Sequence, residues 1–220
     1  MHVDLRVYGI VDPEHAGGHE LPALAAMLAE GGATLVQLRD KVSETRAMVD
    51  SARAIKAALA PYRVPLLVND RVDVALAAGA EGVHVGQTDM AAEDARRLLG
   101  RDAIIGLSIN TEALAQAAPI DVLDYVGIGG VYATTSKSQK KAPIGVAGLG
   151  RIVDVFRRRK PGFPACAIAG ITNANAGATI AAGADGVAVI SALSLAPSPR
   201  DAALELRATI DGALAARARR

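Results

Sequence analysis

The sequence is poor in aromatic side chains, which make up only 3% of it, and it contains no tryptophan. It also has no excess of charge of one sign, because 24 basic and 23 acidic residues leave a formal net charge of +1. Domains that bind nucleic acids commonly carry a basic surface, and binders of single strands add aromatic stacking platforms. The composition therefore argues against a nucleic-acid partner.

Cysteine is represented by one residue, Cys166, so the chain cannot form an internal disulfide. Cys166 stands inside the apolar run 165–169, which predicts a small buried side chain. Neither this cysteine nor the four histidines show the spacing of a zinc site. A chain without disulfides fits a reducing compartment.

Long hydrophobic runs are missing as well. No stretch reaches the roughly 20 apolar residues that cross a bilayer, and residues 1–11 lack the basic start and long apolar core of a signal peptide. We therefore expect a cytoplasmic protein with no membrane partner. With 220 residues, 51% of them hydrophobic, and no linker, the chain is predicted to form a single domain over 1–220.

What the chain does have is a regular alternation of short apolar runs with segments of helical spacing. Strands are predicted at 6–11, 34–38, 65–69, 82–85, 103–108, 125–128, 165–169 and 186–190. Helices are predicted at 21–30, 43–59, 71–77, 91–99, 111–118, 149–158, 175–182 and 199–216. This alternation predicts a parallel sheet covered by helices. Because the strands are apolar along most of their length, an α/β fold with a closed (β/α)8 TIM barrel is favoured over a doubly wound open sheet.

In such a barrel the functional side chains lie at the carboxyl ends of the strands. The second strand runs into Gln37, Arg39 and Lys41, which share a face if the chain stays extended. An amide, a guanidinium and an ammonium group on one face make a receptor for an anion. The alternative is a salt bridge with Asp40 at the end of the strand.

Two acids follow the next two strands. Asp70 comes after the third strand and Asp89 after the fourth, so their carboxylates can converge on one divalent cation. A site with few carboxylates, completed by water and phosphate oxygens, suits Mg²⁺. The alternative is that each acid caps the helix that follows it.

The loop after the sixth strand is rich in glycine and hydroxyl groups, and three of the six lysines lie in it at 137, 140 and 141. We interpret the loop as a flap that grips an anion, with a solvated run of charge as the alternative. The ends of the last two strands, at Gly170 and at Ile190-Ser191, offer backbone amides for a phosphate group. Two anionic groups would then bind at opposite sides of one barrel mouth.

His84 lies within the fourth predicted strand. It shares a face with Gly86, so it could line the pocket, but a hydrogen-bonded core histidine is the favoured interpretation. No serine, histidine and aspartate arrangement for nucleophilic catalysis is evident.

Six motifs occur in the order in which a known family carries them. They are Gln37-Leu38-Arg39-Asp40-Lys41, Leu67-Val68-Asn69-Asp70, Gly82-Val83-His84-Val85-Gly86-Gln87-Thr88-Asp89, Gly106-Leu107-Ser108, Asp124-Tyr125-Val126-Gly127 and Thr134-Thr135-Ser136-Lys137. Together they resemble the thiamine phosphate synthase family over nearly the whole chain. The resemblance implies a TIM-barrel transferase that joins the diphosphate ester of 4-amino-5-hydroxymethyl-2-methylpyrimidine to 4-methyl-5-(2-phosphoethyl)thiazole. Many members carry prolines before Thr134, where this chain has Gly130 and Ala133.

Carried over position by position, the resemblance implies three sets of site residues. The pyrimidine diphosphate would contact Gln37, Arg39, Lys41 and Asn69, with Ser108 at the pyrimidine and Lys137 at the diphosphate. Of these, the catalytic residues would be Arg39, Lys41, Ser108 and Lys137. Mg²⁺ would be bound by Asp70 and Asp89. The thiazole phosphate would contact Thr134, Thr135, Ser136, Gly170, Ile190 and Ser191.

The chemistry that the resemblance implies is dissociative. Diphosphate leaves first, and the thiazole nitrogen captures a methylene cation stabilised by the pyrimidine, so no strong base is required. The partners are small-molecule substrates, and a homo-oligomer is compatible with the sequence. Two alternatives stay open: a thiazole tautomerase built on the same barrel, which needs no diphosphate clamp, and a non-catalytic protein that senses a thiazole or thiamine phosphate.

Overall fold

The computed structural model describes residues 3–136 and 142–219. Within these residues eight strands pair in parallel and in chain order, and β8 pairs with β1 to close the barrel. The strands are β1 Val7–Val11, β2 Leu35–Leu38, β3 Leu66–Asn69, β4 Gly82–Val85, β5 Ile104–Ile109, β6 Tyr125–Ile128, β7 Ala165–Ile168 and β8 Gly186–Val189. The predicted TIM barrel is confirmed, and the open-sheet alternative is wrong.

Helices cover the outside of the barrel. They are α1 Leu21–Glu30, α2 Thr45–Leu59, α3 Val72–Ala78, α4 Ala92–Leu99, α5 Glu112–Ala117, α6 Gly145–Arg159, α7 Asn173–Ala181, α8 Ser191–Ser194 and α9 Pro199–Ala218. Across the part of the chain that the structure describes, none of the helices, including the 20-residue α9, combines enough length with enough apolar character to span a membrane.

Two helices differ from the sequence prediction. The helix α6 begins at Gly145, four residues before the predicted start, because amides at this end bond to the loop after β6: Ile144 donates to the Gly130 carbonyl at 2.9 Å. Three glycines in its first two turns lower the helix propensity, which is why the sequence pattern missed this part. The one-turn helix α8 was not predicted, since four residues are too few to show a helical period.

Side chains of each strand alternate between the helices and the barrel interior. The interior cluster contains Tyr8, Leu35, Leu67, Tyr125 and Cys166, each of them fully buried or nearly so. Cys166 is a buried free thiol, as predicted.

Glycines make room for the largest interior side chains. A Cβ at Gly106 would lie 2.2 Å from Cζ of Tyr125, and one at Gly127 would lie 2.9 Å from Cε1 of His84. These distances are too short for any larger residue unless a neighbour moves. The pattern places a phenol and an imidazole in the interior, directly below the strand ends that carry the candidate site.

Candidate active site

The strand β2 brings three predicted residues to the carboxyl end of the barrel at different depths. Gln37 lies within the strand, is 2% exposed, and donates a hydrogen bond from Nε2 to the Tyr8 hydroxyl inside the barrel. Arg39 follows the end of the strand and is largely shielded from solvent. The chain bends at residues 41–43, so it does not stay extended as far as Lys41. Lys41 is the most exposed of the three and reaches across to β3.

Arg39 pairs with Asp12, the residue that follows β1, and not with Asp40. Asp40 instead accepts hydrogen bonds at Oδ1 from the backbone amides of Val42, at 3.0 Å, and Ser43, at 2.9 Å. The salt-bridge alternative for Asp40 is therefore wrong. Asp40 stabilises the turn that carries Lys41, and the guanidinium of Arg39 is held from the neighbouring strand.

Asp12 joins the candidate site through Arg39, and the sequence analysis missed it. Its side chain is 1% exposed, and its Oδ1 also accepts a hydrogen bond from the Glu14 amide at 2.9 Å. The signal was present in the sequence, because Asp12 follows an apolar strand at the edge where the other polar residues collect. An adjacent proline made it resemble an ordinary turn residue.

Asp70 and Asp89 come together, as the strand order predicts. Lys41 Nζ donates to Oδ2 of Asp70, and the Asp70 backbone adopts a left-handed conformation with φ of 60°, which aspartate tolerates better than most residues. Asp89 Oδ2 accepts from the Gly86 amide at 2.8 Å. Burial, together with the hydrogen bond and negative charge of Asp70, raises the pKa of Asp89 above its usual range.

The helix-cap alternative for both acids is wrong. The residue that precedes α3 is Arg71 and the residue that precedes α4 is Ala91, and neither helix receives a side-chain cap. The two carboxylates face one another instead. Two like charges at close range are unfavourable unless one is protonated or a cation lies between them.

The pair of carboxylates fits a magnesium ion by donor type and by charge. Among the residues that the structure describes, no group of three or more histidine, cysteine or acidic side chains could hold a metal. Mg²⁺ does not need such a group, since it keeps several waters and binds through one or two carboxylates and substrate phosphates. Magnesium binding at Asp70 and Asp89 stays a prediction.

Asn69 and Ser108 lie on either side of His84 in the sheet. Asn69 is the last residue of β3 and pairs in register with His84, while Ser108 lies in β5. His84 is 7% exposed; its Nδ1 lies 2.7 Å from the Tyr125 hydroxyl and its Nε2 2.9 Å from Oγ of Ser108. The favoured interpretation of His84 as a hydrogen-bonded core histidine is confirmed. The imidazole of His84 contacts Ser108, a predicted site residue.

A second group of predicted residues meets at the ends of β6 and β8. Ser136 Oγ donates to Ser191 Oγ at 3.0 Å, and the Ser136 amide donates to Thr134 Oγ1 at 3.3 Å. Thr135 between them is exposed. The contact between the two serines fixes the segment 134–136 against the residue that follows Ile190.

Gly170 brings the end of β7 into the same group. Its φ is 67°, and a Cβ there would lie 2.4 Å from the Ala133 carbonyl oxygen, so both the backbone and the space require glycine. Ala169 before it also has a positive φ, 75°, and its carbonyl accepts from the Tyr132 amide at 3.1 Å. Strained backbone of this kind is concentrated at functional sites.

Lys137, and the lysines at 140 and 141, lie outside the described residues. The role assigned to Lys137 and the interpretation of the loop as an anion-gripping flap therefore stay predictions. The described part of the loop, up to Ser136, ends at the second group.

The family profile described as thiamine monophosphate synthase matches residues 7–193. The chain belongs to the thiamine monophosphate synthase family. This confirms the family resemblance stated above and the enzyme class, a transferase of the thiamine-phosphate synthase type.

Relatives within the thiamine monophosphate synthase family match over almost their full length. A thiamine-phosphate synthase from Agrobacterium fabrum is 47% identical over 215 residues, which cover 98% of each chain. One from Leptospira biflexa is 43% identical over 205 residues, covering 91% of this chain and 95% of the relative. Among solved structures, the thiamine phosphate pyrophosphorylase from Pyrococcus furiosus has a TM-score of 0.84 at 34% identity and covers 96% of this chain and 98% of that one.

Proposed function

We propose that the protein joins the diphosphate ester of 4-amino-5-hydroxymethyl-2-methylpyrimidine to 4-methyl-5-(2-phosphoethyl)thiazole, with Mg²⁺ bound. The bond between the pyrimidine methylene carbon and the diphosphate oxygen breaks, and diphosphate leaves with the bonding electrons. The ring nitrogen of the thiazole then supplies the pair that forms the new carbon–nitrogen bond. The products are thiamine phosphate and diphosphate.

The observation that carries the proposal is the cluster of Lys41, Asp70 and Asp89. Two carboxylates from neighbouring strands interact with one another, and an ammonium group pairs with one of them. A tautomerase or a binder of a monophosphate has no use for this combination. A diphosphate leaving group does, because its charge must be neutralised as the bond breaks.

Arg39 and Lys41 are assigned to the outer oxygens of the diphosphate. Asp12 accepts a hydrogen bond from one Nη group of Arg39, and a guanidinium has five N–H donors, so others are left for phosphate oxygens. Lys41 stands on the more exposed side and has three donors, of which Asp70 takes one. The two cations would hold the leaving group from the β2 side of the mouth.

Mg²⁺ held by Asp70 and Asp89 would supply positive charge to the oxygens of the departing diphosphate. Asn69 and Gln37 are assigned to the same substrate, and Ser108 to its pyrimidine ring. Lys137, which lies outside the described residues, is assigned to the diphosphate as well. None of these groups has to remove a proton, which is consistent with a dissociative substitution.

The thiazole phosphate is assigned to the second group of residues. Hydroxyl groups of Thr134, Thr135, Ser136 and Ser191 would donate to its oxygens, together with backbone amides near Gly170 and Ile190. The contact between Ser136 and Ser191 supports this assignment, since it joins two strand ends into one surface. This surface and the carboxylate pair both lie at the carboxyl ends of the strands, so the two substrates would meet in one barrel mouth.

The cytoplasmic location and the small-molecule partners belong to the same proposal. The buried unpaired thiol of Cys166 is consistent with a reducing compartment. Assembly into a homo-oligomer stays a prediction.

The test supplies both substrates with Mg²⁺ and follows diphosphate release and thiamine phosphate formation together. We expect equal amounts of the two products, with turnover that requires both substrates and the metal. A metal-free reaction with added chelator, and reactions that omit one substrate, are the controls.

Two other results would replace the proposal. Exchange of a proton on the thiazole without the pyrimidine would indicate a tautomerase. Binding of a thiazole or thiamine phosphate without turnover would indicate a sensor. Product formation that does not depend on a divalent cation would keep the reaction and remove the metal from it.

A further inference from the structure

A continuous chain of hydrogen bonds crosses the interior of the barrel between two predicted site residues. Gln37 Nε2 donates to the Tyr8 hydroxyl, which lies 2.9 Å from the Tyr125 hydroxyl. The Tyr125 hydroxyl lies 2.7 Å from Nδ1 of His84, and Nε2 of His84 lies 2.9 Å from Oγ of Ser108. The five side chains come from β2, β1, β6, β4 and β5 in that order. We call these five residues the interior chain.

Both tyrosines of the interior chain stay protonated over the range in which enzymes work. Burial raises the pKa of Tyr8 and of Tyr125 far above that of a free phenol. Each hydroxyl therefore has one proton to donate and can accept in return. A buried chain of such groups passes on the direction of its first hydrogen bond.

That direction is set at Gln37. Because Gln37 reaches Tyr8 through its donating amide nitrogen, the acceptor beside the Tyr8 proton is the Tyr125 oxygen, and the acceptor beside the Tyr125 proton is then Nδ1 of His84. The order Tyr8 to Tyr125 to His84 is the one that pairs the buried protons within the interior chain. The imidazole then carries its proton on Nε2 and donates it to Ser108 Oγ.

The two ends of the interior chain consequently offer opposite hydrogen-bonding groups to a ligand. At one end the amide oxygen of Gln37 can accept a hydrogen bond from the ligand. At the other end Ser108 already accepts from His84, so its own proton is left to donate. An aminopyrimidine is complementary to this pair, because its exocyclic amino group donates and its ring nitrogens accept. A pyrimidine with an oxo group in place of the amino group presents an acceptor where Gln37 needs a donor.

We propose that Tyr8, Tyr125 and His84 are positioning residues that fix the hydrogen-bond direction of Gln37 and Ser108 and thereby select a 4-aminopyrimidine over a 4-oxopyrimidine. The proposal rests on the proposed function, in which Gln37 and Ser108 contact the pyrimidine substrate. None of the three positioning residues needs to touch the substrate. Their effect reaches it through the ends of the interior chain.

The interior is shaped around these three residues. The strand positions that face Tyr125 and His84 are glycines, Gly106 and Gly127, and a Cβ at either would collide with the ring beside it. Tyr8 and Tyr125 also pack edge to face, with ring centroids 5.9 Å apart. Phenylalanine at either tyrosine keeps this packing and removes one link of the chain.

The experiment uses Tyr125→Phe. Without the Tyr125 hydroxyl, Tyr8 can donate to the amide oxygen of Gln37 and the amide can turn over, while His84 can take the other tautomer. Titration calorimetry without the thiazole measures the dissociation constants of the 4-amino pyrimidine diphosphate and of its 4-oxo counterpart. We expect the amino compound to bind about tenfold more weakly than it does to the wild type, and the preference over the oxo compound to fall by the same factor.

Tyr8→Phe repeats the test at a second link, so that poor folding of one variant does not decide the outcome. The double variant should lose no more preference than either single variant, because a chain that is broken once has already lost its direction. Tyr62→Phe is the matched control: it removes a hydroxyl from a tyrosine that is 41% exposed and lies beside residues 33–34 and 64–65, before the starts of β2 and β3, and the preference should not change. The KM for the thiazole phosphate should be unchanged in all variants.

An amino-over-oxo preference that equals the wild-type value in Tyr125→Phe and Tyr8→Phe would overturn the inference, as would losses that add in the double variant. Failure of the proposed function is distinguishable, because then the wild-type protein itself forms no thiamine phosphate from the two substrates. Wild-type turnover with unchanged preference in the variants would overturn the inference alone.

Discussion

The carboxylate of Asp12, at the end of β1, accepts a hydrogen bond from Nη1 of Arg39, just after the end of β2, and is almost wholly shielded from solvent. A buried carboxylate beside a guanidinium neutralises part of the positive charge of the guanidinium. It also fixes the plane of the guanidinium group. The geometry of Arg39 is thus set by a neighbouring strand before any substrate binds, which reduces the entropy that binding has to overcome.

Asp12→Asn keeps the side-chain shape and removes the charge that holds Arg39. We expect the KM for the pyrimidine diphosphate to rise about tenfold, because a charged hydrogen bond that orients the guanidinium becomes a neutral one. The free energy of unfolding should fall by about 2 kcal/mol, since the hydrogen bond between two charged groups is lost. Steady-state kinetics and denaturant unfolding measure the two effects.

Asp124→Asn is the control for that experiment. Asp124 precedes β6 and pairs with Arg96 at 2.6 Å, at the amino end of the barrel. It should lower stability without changing the KM for either substrate. A KM in Asp12→Asn that equals that of Asp124→Asn would show that Asp12 only stabilises the fold.

Asp70→Asn removes one of the two carboxylates assigned to Mg²⁺. The concentration of Mg²⁺ needed for half-maximal rate should rise by more than about tenfold, since losing a residue that merely supports a metal ligand already costs about that much. Turnover should fall strongly as well. Asp73→Asn makes the same change on the exposed side of α3 and should alter neither quantity. Unchanged magnesium dependence in Asp70→Asn would remove Asp70 from the metal site.

The raised pKa of Asp89 predicts how the metal-free protein responds to pH. Burial and the Asp70 carboxyl raise this pKa, so the folded protein binds the proton more tightly than the unfolded chain does. The associated stability is present at acid pH and is lost as the pH rises through the folded pKa. Asp89→Asn should therefore have a higher Tm than the wild type at about pH 8 without metal, and the difference should shrink towards about pH 4. A constant difference in Tm at both pH values would contradict the interaction of the two carboxyls.

Gly106→Ala places a methyl group against the Tyr125 ring, 2.2 Å from Cζ. We expect the free energy of unfolding to fall by about 1 to 3 kcal/mol, as in other overpacked cores, and the pyrimidine diphosphate to bind more weakly because Tyr125 is displaced. Thermal unfolding and titration calorimetry measure the two effects.

The matched control is Gly177→Ala in α7, where a Cβ would meet nothing within 4 Å. It should raise the free energy of unfolding by about 0.5 to 1 kcal/mol, since alanine is the better helix former. Equal stabilities of Gly106→Ala and the wild type would mean that the Tyr125 ring can move to accommodate the added methyl group without a cost in stability.

Ser136→Ala and Ser191→Ala test the second group of site residues. Each should raise the KM for the thiazole phosphate about three- to tenfold and leave that for the pyrimidine diphosphate unchanged, because each removes one neutral hydroxyl donor. Their effects should not add, since the two hydroxyl groups bond to one another at 3.0 Å. Ser198→Ala removes the cap of α9 and should lower stability by about 1 kcal/mol without changing either KM. A rise in the KM for the pyrimidine diphosphate would place the two serines at the wrong substrate.

The sequence by itself determined the barrel, because each strand and helix has its own period and the eightfold alternation leaves few topologies. It also placed Asp70 next to Asp89, since parallel strands that follow one another in the chain end at the same edge of the sheet. The local pattern was a weaker guide at two helices. At the start of α6, contacts with the preceding loop outweigh the low helix propensity of its glycines. The helix α8 is a single turn, which is too short to show a helical period.

Only the tertiary structure decided which side chains bond to one another across the barrel. Tyr8, Tyr125 and His84 are separated by 41 to 117 positions where they meet, so no local pattern could pair them, although His84 was recognised as a residue that could face the pocket. The pairing of Arg39 with Asp12 was hidden for the same reason, since Asp40 is the nearer acid in sequence. Closure of the barrel brings side chains from all eight strands together around one axis. The contacts between side chains of different strands cannot be obtained from the period of any single strand.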